Sequence, residues 1–336
     1  MLSLTDNIIE LIKSAQSIVI TTHVNPDGDG FCAALALQRI LSVWNKDSII
    51  LTDNDDLSRY AFLMDASNMA VFNKDAMPAP DADLLFVLDC NSYDRLGDRS
   101  VLVDSARHTV LLDHHVVEHS PITAEYSIID PAYVSVGAII FELFRECILS
   151  QNQDDQLYVG NCLYTTILND TNNYANANTN AAVFTFAADL CALGIKPHVL
   201  YKEYFLNHSA EEMRYVGETL STIELHFGRK LLTMHSTLEM MNRNNLNADS
   251  IMNITRWVQG VQGLDAIAYL REDAPGKYVL SLRSVKLNVN EIAVRYGGGG
   301  HRQASGATVH GTFSEVMSML LRDFQEAIEN YERSLG

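Results

Sequence analysis

The chain has 336 residues, of which 47% are apolar, and this is enough material for about two separate cores. Its 42 acidic against 24 basic side chains give a formal net charge of −18 at pH 7, which excludes the broad basic surface that proteins use to grip long DNA or RNA. A small anionic substrate stays compatible, because a bound cation reverses the local field. With no predicted leader or membrane span and five scattered cysteines, we expect a cytoplasmic protein without a membrane partner.

The first half of the chain alternates short apolar runs with amphipathic stretches. The predicted strands are residues 17–22, 48–51, 84–88 and 109–112. The predicted helices are residues 31–44, 136–148 and 156–168. Runs that are apolar throughout are typical of strands buried on both faces, so the alternation predicts an α/β domain with a mainly parallel sheet and helices on both faces.

The second half has a different pattern. Residues 185–220 predict one continuous helical segment, and shorter strands follow at 230–234 and 278–282. Thr312 to Glu315 has the form of a capping box and precedes apolar residues at helical spacing, which predicts a final helix packed on a core. We therefore expect three segments: a metal-binding catalytic domain at 1–190, a helical connector at 191–222 and a smaller α/β substrate-binding domain at 223–336.

Acidic and imidazole side chains follow three of the predicted strands and one predicted helix. They are His23, Asp27 and Asp29, then Asp89, then Asp113, His114 and His115, and finally Asp170. Any one of these acids is equally typical of a turn or a helix cap. Because ligands of open α/β sheets bind outside the carboxyl ends of the strands, we expect the whole set to meet there. The set offers more ligands than one ion needs, so it predicts two metal ions.

The chemistry of these donors indicates which metal they suit. Oxygen and imidazole ligands without a thiolate favour Mn²⁺, with Mg²⁺ as the alternative, over structural zinc. Two such ions about 3.5–4 Å apart suit phosphoester hydrolysis. In an extended backbone, Asp27 and Asp29 would share one side of the chain.

A run of four glycines, Gly297 to Gly300, precedes His301 and Arg302 in the second half. Glycines let backbone amides approach an anion closely, although such a run is also typical of a flexible turn. Arg283, which Ser284 follows at the end of a predicted strand, is a further cationic donor. Together these residues predict an anion-binding site in the second domain.

In this order, the motifs resemble the DHH/DHHA1 phosphoesterases over nearly the whole chain. The amino-terminal likeness runs from His23-x-x-x-Asp27-x-Asp29 to Asp170, and the carboxyl-terminal one covers Gly297 to His301 with Ala304 and Gly306. The size is most similar to the nanoRNase/pAp phosphatase type of this family. Where the family commonly has Asp-Thr-Gly, this chain has Asp170-Thr171-Asn172, and asparagine tolerates the left-handed backbone of such a turn.

The resemblance implies a role for each residue. It implies that His23, Asp27 and Asp89 bind one metal ion and that Asp29, Asp89, His114 and Asp170 bind the other. It also implies that His115 lies beside the scissile phosphate as a donor or proton shuttle while Asp113 orients the imidazoles. The implied substrate residues, which hold a terminal nucleotide or its phosphate, are Arg283, Ser284, Gly298, Gly299, Gly300 and His301.

We therefore expect a Mn²⁺-dependent hydrolase that acts on short single-stranded RNA oligonucleotides and, as a second activity, on 3′-phosphoadenosine 5′-phosphate (pAp). A phosphodiesterase for linear or cyclic adenine dinucleotides is the nearest alternative. A polyphosphate or pyrophosphate hydrolase and a non-catalytic nucleotide sensor are the remaining ones. No long nucleic acid is an expected partner, and a homodimer stays open.

Overall fold

The structure of the protein is a computed structural model, which describes residues 3–53, 57–64, 67–76, 79–117, 120–246 and 254–335. The chain divides into two compact units, Met1–Asn207 and His208–Gly336. The division falls within the segment that the sequence predicts as a connector.

The first unit is built on one sheet in which every pair of neighbouring strands is parallel. The strands are β1 (Ile18–Thr22), β2 (Ser48–Thr52), β3 (Met69–Val71), β4 (Leu84–Leu88), β5 (His108–Asp113) and β6 (Tyr126–Ile129). Their order across the sheet is β3-β2-β1-β4-β5-β6. The four predicted strands are confirmed as β1, β2, β4 and β5. The edge strands β3 and β6 were not predicted, because they are short and only partly buried.

Helices cover both faces of this sheet, as predicted. The helices of the first unit are α1 (Leu4–Ser14), α2 (Gly28–Val43), α3 (Tyr93–Leu96), α4 (Ser100–Ser105), α5 (Val136–Ser150), α6 (Gln153–Asp170), α7 (Ala181–Ala192) and α8 (Pro197–Phe205). Along β4, Leu84, Phe86 and Leu88 join the core on one face, whereas Leu85 and Val87 join the core on the other. This alternation explains why the strands read as continuous apolar runs.

Helix α2 begins earlier than the sequence predicted. Asp27 is its N-cap, and the Asp27 carboxylate accepts hydrogen bonds from the amides of Asp29 at 2.9 Å and Gly30 at 3.3 Å. Asp27 and Asp29 would share one side of the chain only in an extended backbone, and the structure does not have one here, because the cap places Asp29 in the first helical turn. Asp29 is fully buried, whereas the Asp27 side chain is 46% exposed.

The expectation of continuous helix over residues 185–220 is also wrong. This stretch forms α7, α8 and a third helix, α9 (Ala210–Leu220). Gly194, with φ of 95°, and Pro197 separate the first two, and Ser209 starts the third with a capping box to Glu212. Among the described residues no single helix is long and apolar enough to cross a membrane, although α7 and α8 together meet that length and composition with a bend of 108°.

The second unit, which begins with α9, is a smaller α/β fold. Its other elements are β7 (Glu224–His226), β8 (Leu231–Ser236), α10 (Leu238–Arg243), β9 (Ala266–Ala274), β10 (Lys277–Ser284), α11 (Val289–Arg295), β11 (Gly299–His301), β12 (Ala304–His310) and α12 (Phe313–Leu335). The strand order is β11-β12-β10-β9-β8-β7, and only the β8–β9 pair is parallel among the described strands. The predicted capping box at Thr312 and Glu315 is confirmed, and α12 packs Leu320, Phe324 and Ile328 into the core.

Candidate metal centre

The predicted ligands converge where the strand order of the first sheet reverses. The chain passes from β1 outward to β3, then returns to place β4 on the other side of β1. His23 directly follows β1, Asp89 directly follows β4, and Asp113 is the last residue of β5. Since these three strands are parallel neighbours, their carboxyl ends meet at one edge, which is the usual ligand-binding position in such sheets.

One group of donors consists of His23, Asp27 and Asp89. Nε2 of His23 lies 3.7 Å from Oδ1 of Asp27 and 3.4 Å from Oδ2 of Asp89. The donor atoms of the three side chains all lie within 4.8 Å of one another. This is a spacing that a single cation can bridge.

A second group of donors lies on the other side of Asp89. Nε2 of His114 is 3.0 Å from Oδ2 of Asp170, 3.4 Å from Oδ2 of Asp29 and 3.6 Å from Oδ1 of Asp89. Asp89 thus contacts both groups, one through each carboxylate oxygen. The structure therefore brings together all six residues that the resemblance implies as metal ligands.

Several of these atoms lack a hydrogen-bond partner. Nε2 of His23, Oδ1 of Asp89 and Oδ2 of Asp170 are buried without one among the described residues. An unsatisfied buried polar atom is costly, and clustered buried carboxylates repel one another unless a cation or proton lies between them. The hard oxygen and imidazole donors therefore fit divalent ions at both groups.

Facing carboxylates favour the protonated imidazoles in the metal-free protein. Burial disfavours the charged imidazole of His114, but the facing carboxylates of Asp170 and Asp89 outweigh it and raise the pKa of His114 to about 11. Burial also disfavours the charged imidazole of His23, but the carboxylates of Asp27 and Asp89 outweigh it and raise the pKa of His23 to about 10. Burial likewise opposes the charge on Asp89, but the nearby imidazoles hold the pKa of Asp89 well below its usual range.

The third imidazole, His115, has a different environment. Oδ1 of Asp113 accepts hydrogen bonds from the amides of His114 at 2.8 Å and His115 at 3.1 Å, and from Nδ1 of His115 at 2.9 Å. The resemblance implied that Asp113 orients both imidazoles. The structure shows that it holds the ring of His115 and only the backbone of His114. The His115 side chain is 29% exposed, against 9% for His23 and 14% for His114.

Asp29 links the centre to the first turn of helix α5. Its carboxylate accepts hydrogen bonds from the amides of Val136 at 2.7 Å and Gly137 at 3.2 Å. Free amides at a helix N-terminus attract negative charge. Burial and the neighbouring carboxylates nevertheless raise the pKa of Asp29 well above its usual range, so a cation at this position would stabilise its charged form.

Sequence reasoning missed the residues that hold the loop between β1 and α2, residues 23–27, which we call the His23 loop. Nη1 of the buried Arg99 lies 3.2 Å from Oδ1 of Asp53, and Nη2 donates a hydrogen bond to the Thr22 carbonyl at 3.1 Å. Asp53 in turn accepts from the Asn25 amide at 2.9 Å, where the backbone is left-handed with φ of 50°. Nothing in the local sequence pairs Arg99 with this loop.

The turn after Asp170 takes the left-handed conformation that the sequence led us to expect. Asn172 and Asn173, where the family commonly has glycine, have φ of 46° and 55°. Asp89 also has a left-handed backbone, with φ of 57°, which is uncommon for a residue other than glycine. A strained backbone at the position shared by both donor groups is typical of a functional site.

The predicted substrate residues of the second unit lie together. Arg283 pairs with Ala304 across one side of β12, and His301 pairs with the same residue across the other side. Arg283 and Gly297 to Gly299 line an open cavity of about 640 Å³. Burial lowers the pKa of Arg283, and no carboxylate of the described residues pairs with it. The backbone of His301 lies in β11, and its side chain lies outside the described part of the structure.

Gly298, Gly300 and Ser284 have structural roles that the sequence did not predict. A Cβ at Gly298 would lie 2.1 Å from the Gly306 carbonyl oxygen, and one at Gly300, where φ is 137°, would lie 2.6 Å from that of Ala304. Both are therefore required for the β11–β12 hairpin, whereas Gly299 has open space around it. The Ser284 hydroxyl donates to the Asp265 carbonyl and accepts from the amides of Lys286 and Leu287, which makes it part of a turn.

The fold and this centre define a two-unit α/β protein with acid and imidazole donors at the switch point of a parallel sheet. Residues 17–195 match the family model described as the DHH family, N-terminal domain, and residues 234–332 match the DHHA1 domain. The chain belongs to the DHH family of phosphoesterases, as the order of its motifs predicted.

The similarity to individual known proteins covers most of this chain. It is 26% identical to the Thermus thermophilus bifunctional oligoribonuclease and PAP phosphatase NrnA, over 90% of this chain and 88% of that protein. An exopolyphosphatase-related protein from Bacteroides fragilis has the same fold, with a TM-score of 0.86, 23% identity and coverage of 99% of this chain and 97% of that one. The fold also resembles that of Thermus thermophilus RecJ in complex with Mn²⁺, with a TM-score of 0.51, 13% identity and coverage of 98% and 54%.

Proposed function

We propose that this protein is a Mn²⁺-dependent phosphoesterase that hydrolyses short RNA oligonucleotides to mononucleotides and also removes phosphate from pAp. The observation that carries the proposal is the pair of donor groups, one on each side of the Asp89 carboxylate, that leave buried ligand atoms without a partner among the described residues. The relative from Thermus thermophilus, which is named for both activities, supports the choice of substrate.

The proposed ligand sets are those that the resemblance implies. His23, Asp27 and Asp89 hold one ion, while Asp29, Asp89, His114 and Asp170 hold the other. Two divalent ions bound there would supply positive charge to the phosphate and would lower the pKa of a bound water toward neutrality. Imidazole donors favour Mn²⁺ over Mg²⁺ at these positions.

His115 is the proposed contact between the protein and the reacting phosphate. Its Nδ1 is held by Asp113 at 2.9 Å and lies 3.2 Å from Oδ1 of Asp89, which leaves Nε2 as the ring atom free to meet substrate. A proton on Nε2 can be donated to a phosphate oxygen or to the leaving oxygen. Its greater exposure than that of the other two imidazoles fits this role.

Arg283 is the proposed anchor for the substrate's phosphate or terminal nucleotide. A guanidinium that pairs with no carboxylate of the described residues, beside a glycine loop with backbone amides, is suited to an anion. Gly298, Gly299, Gly300 and His301 belong to this proposed site through the same hairpin. Ser284 supports it by holding the turn that follows Arg283.

The test compares the protein with an Asp89→Asn variant, since asparagine tolerates the left-handed backbone at this position. Metal-stripped protein is supplied with Mn²⁺ and an RNA dinucleotide, a 20-residue RNA or pAp. We expect rapid release of mononucleotide from the dinucleotide, slow attack on the long RNA, and background rates for Asp89→Asn. Asp98→Asn, at an exposed pair with Lys74, is the control that keeps activity. Equal release by Asp89→Asn and the unchanged protein would refute the proposal.

Cyclic and linear adenine dinucleotides and polyphosphate belong in the same assay. A rate on cyclic dinucleotide well above that on the RNA dinucleotide would replace the proposed substrate by the nearest alternative. A preference for polyphosphate would remove the need for a nucleotide site at Arg283. Binding of these compounds without any hydrolysis in the presence of Mn²⁺ would identify a sensor.

A further inference from the structure

Asn169, the residue before Asp170, contacts both donor groups at once. One hydrogen of its amide group is donated to Oδ2 of Asp27 at 3.1 Å, and Nδ2 also donates to Oδ1 of Asp170 at 2.8 Å. Asp27 belongs to one donor group and Asp170 to the other. A single side-chain amide therefore joins the two groups.

These two bonds fix the second oxygen of each acid; at Asp27 they act together with the N-cap bonds that Oδ1 accepts from the amides of Asp29 and Gly30. With Oδ2 of Asp27 held by Asn169, Oδ1 is the oxygen that faces Nε2 of His23. With Oδ1 of Asp170 held in the same way, Oδ2 is left unpartnered beside Nε2 of His114. The amide thus directs one oxygen from each carboxylate into its own donor group.

The orientation of Asn169 is itself fixed by its other side. Oδ1 of Asn169 accepts hydrogen bonds from the Tyr204 hydroxyl at 2.6 Å and from the Gly28 amide at 3.2 Å. A flipped amide would turn its oxygen toward two carboxylates and its NH₂ group toward an N–H donor, so only one orientation is compatible with these partners. Tyr204 is buried, and Gly28 leaves room for it, because a Cβ there would lie 2.4 Å from the hydroxyl oxygen.

We propose that Asn169, oriented by the Tyr204 hydroxyl, is a positioning residue that couples the two metal positions by setting the directions of the Asp27 and Asp170 carboxylates. The proposal rests on the proposed function, since it takes both donor groups to be metal positions. Groups that hydrogen-bond to metal ligands typically contribute a factor of about 10–100 in metal affinity. Because Asn169 serves an acid in each group, its loss is expected to weaken both positions.

The test measures Mn²⁺ binding by titration calorimetry and by the electron paramagnetic resonance of the bound ions. The unchanged protein is expected to bind two Mn²⁺ ions with the broadened spectrum of a coupled pair. Asn169→Ala is expected to weaken binding about tenfold or more at both positions and to show the six-line spectrum of separate ions at the same loading. Tyr204→Phe is expected to produce a smaller loss, because the Gly28 amide still holds Oδ1.

Asn176→Ala is the matched control. Asn176 donates to the main-chain oxygen of Asp170 at 2.9 Å and leaves the carboxylate untouched, so this variant is expected to keep both the affinity and the coupled spectrum. An equal loss of Mn²⁺ affinity in Asn176→Ala would show that any disturbance of the carboxyl end of α6 weakens binding, and it would overturn the proposal. Unchanged binding in Asn169→Ala would overturn it too. If Asn169→Ala does not fold, unchanged affinity and spectrum in Tyr204→Phe overturn it alone.

The failure of this inference is distinct from a failure of the proposed function. If the unchanged protein binds no Mn²⁺ and hydrolyses nothing, the proposed function is wrong. If it binds two ions and cleaves dinucleotide, and the Asn169→Ala variant does both with the same affinity and spectrum, only the positioning role is wrong.

Discussion

The carboxylate of Asp113 is fully buried, and it holds Nδ1 of His115 at 2.9 Å while accepting two backbone amides of the same turn. Three consecutive residues, Asp113 to His115, therefore present one imidazole whose Nε2 is left for a substrate. We expect Asp113→Asn to keep both Mn²⁺ ions, because Asp113 lies outside the proposed ligand sets, and to lower kcat about 100-fold or more, because the ring loses its orientation. Parallel calorimetry and steady-state kinetics check this. A kcat equal to that of the unchanged protein contradicts it.

The metal-free protein is expected to lose stability as the pH rises from 7 to 10. The pKa of His115 is raised to about 9, that of His23 to about 10 and that of His114 to about 11, all above the ordinary value of 6.5. A histidine whose pKa is higher in the folded than in the unfolded protein contributes its full stabilisation below pH 6.5. That stabilisation is lost as the pH rises toward and through the pKa of the folded state. Thermal unfolding in EDTA at several pH values checks the decline, and a flat Tm over this range contradicts it.

Mn²⁺ binding is expected to release protons and to tighten with increasing pH. The ions compete with the protons on His23 and His114, whose pKa values are raised to about 10 and 11. Calorimetry at pH 7.5 in buffers of different ionisation enthalpy measures the number of protons released. An enthalpy that does not depend on the buffer contradicts the prediction.

The buried ion pair beneath the His23 loop is expected to contribute to stability. The side chain of Arg99 is 1% exposed and that of its partner Asp53 is 25% exposed. Asp53→Asn leaves the guanidinium without its counter-charge, and the partial exposure of Asp53 reduces the expected loss to about 2–3 kcal/mol of unfolding free energy. Asp98→Asn, at the exposed pair with Lys74, is expected to cost less than about 1 kcal/mol. Urea denaturation of both variants checks the difference, and equal losses contradict it.

Gly298 and Gly299 are neighbours, but substituting them is expected to affect the stability of the second unit differently. Gly298→Ala places a Cβ 2.1 Å from the Gly306 carbonyl oxygen, so we expect a loss of about 1–3 kcal/mol or more in the stability of this unit. Gly299→Ala meets nothing within 4 Å and is expected to fold normally. Comparison of their thermal unfolding checks this. If Gly299→Ala is as unstable as Gly298→Ala, the packing explanation is wrong.

Arg283→Gln tests the proposed phosphate anchor. A lost charge-assisted hydrogen bond to a phosphate is expected to raise KM for the dinucleotide by about 10- to 100-fold. The change in kcat should be small, because Arg283 belongs to neither donor group. Arg322→Gln, whose side chain is 74% exposed, is the matched control with unchanged KM. An unchanged KM in Arg283→Gln removes Arg283 from the substrate site.

The central strands and the acids that follow them were predictable because both depend on nearby residues. Residues 84–88 are apolar on both faces, so they read as a buried strand, and the first polar residue after them is Asp89. Parallel strands end at one edge of a sheet, which predicts that Asp89 lies at the same edge as His23 and Asp113; that they lie side by side follows from the strand order β1-β4-β5 in the structure. The edge strand β3 was missed because it is only three residues long and partly buried.

Errors arose where a local pattern has two solutions. The helical periodicity of residues 185–220 continues through positions where Gly194 and Pro197 turn the chain. Asp27 and Asp29 share a side only if the backbone is extended, and the N-cap at Asp27 makes it helical instead. The spacing of residues was correct in both cases, but the backbone conformation between them was not.

By itself, the sequence determined the parallel sheet, the set of acids and imidazoles at its edge, the family and the second domain's glycine loop, because each of these depends on short-range pattern and on the order of motifs. Only the tertiary structure decided the distances at which the donors meet about Asp89, that Asp113 holds the ring of His115 alone, and that Arg99 supports the loop that carries His23. Asn169 shows the physical reason: it contacts Asp27 across 142 positions of sequence, and such a contact exists only because helix α6 packs on helix α2.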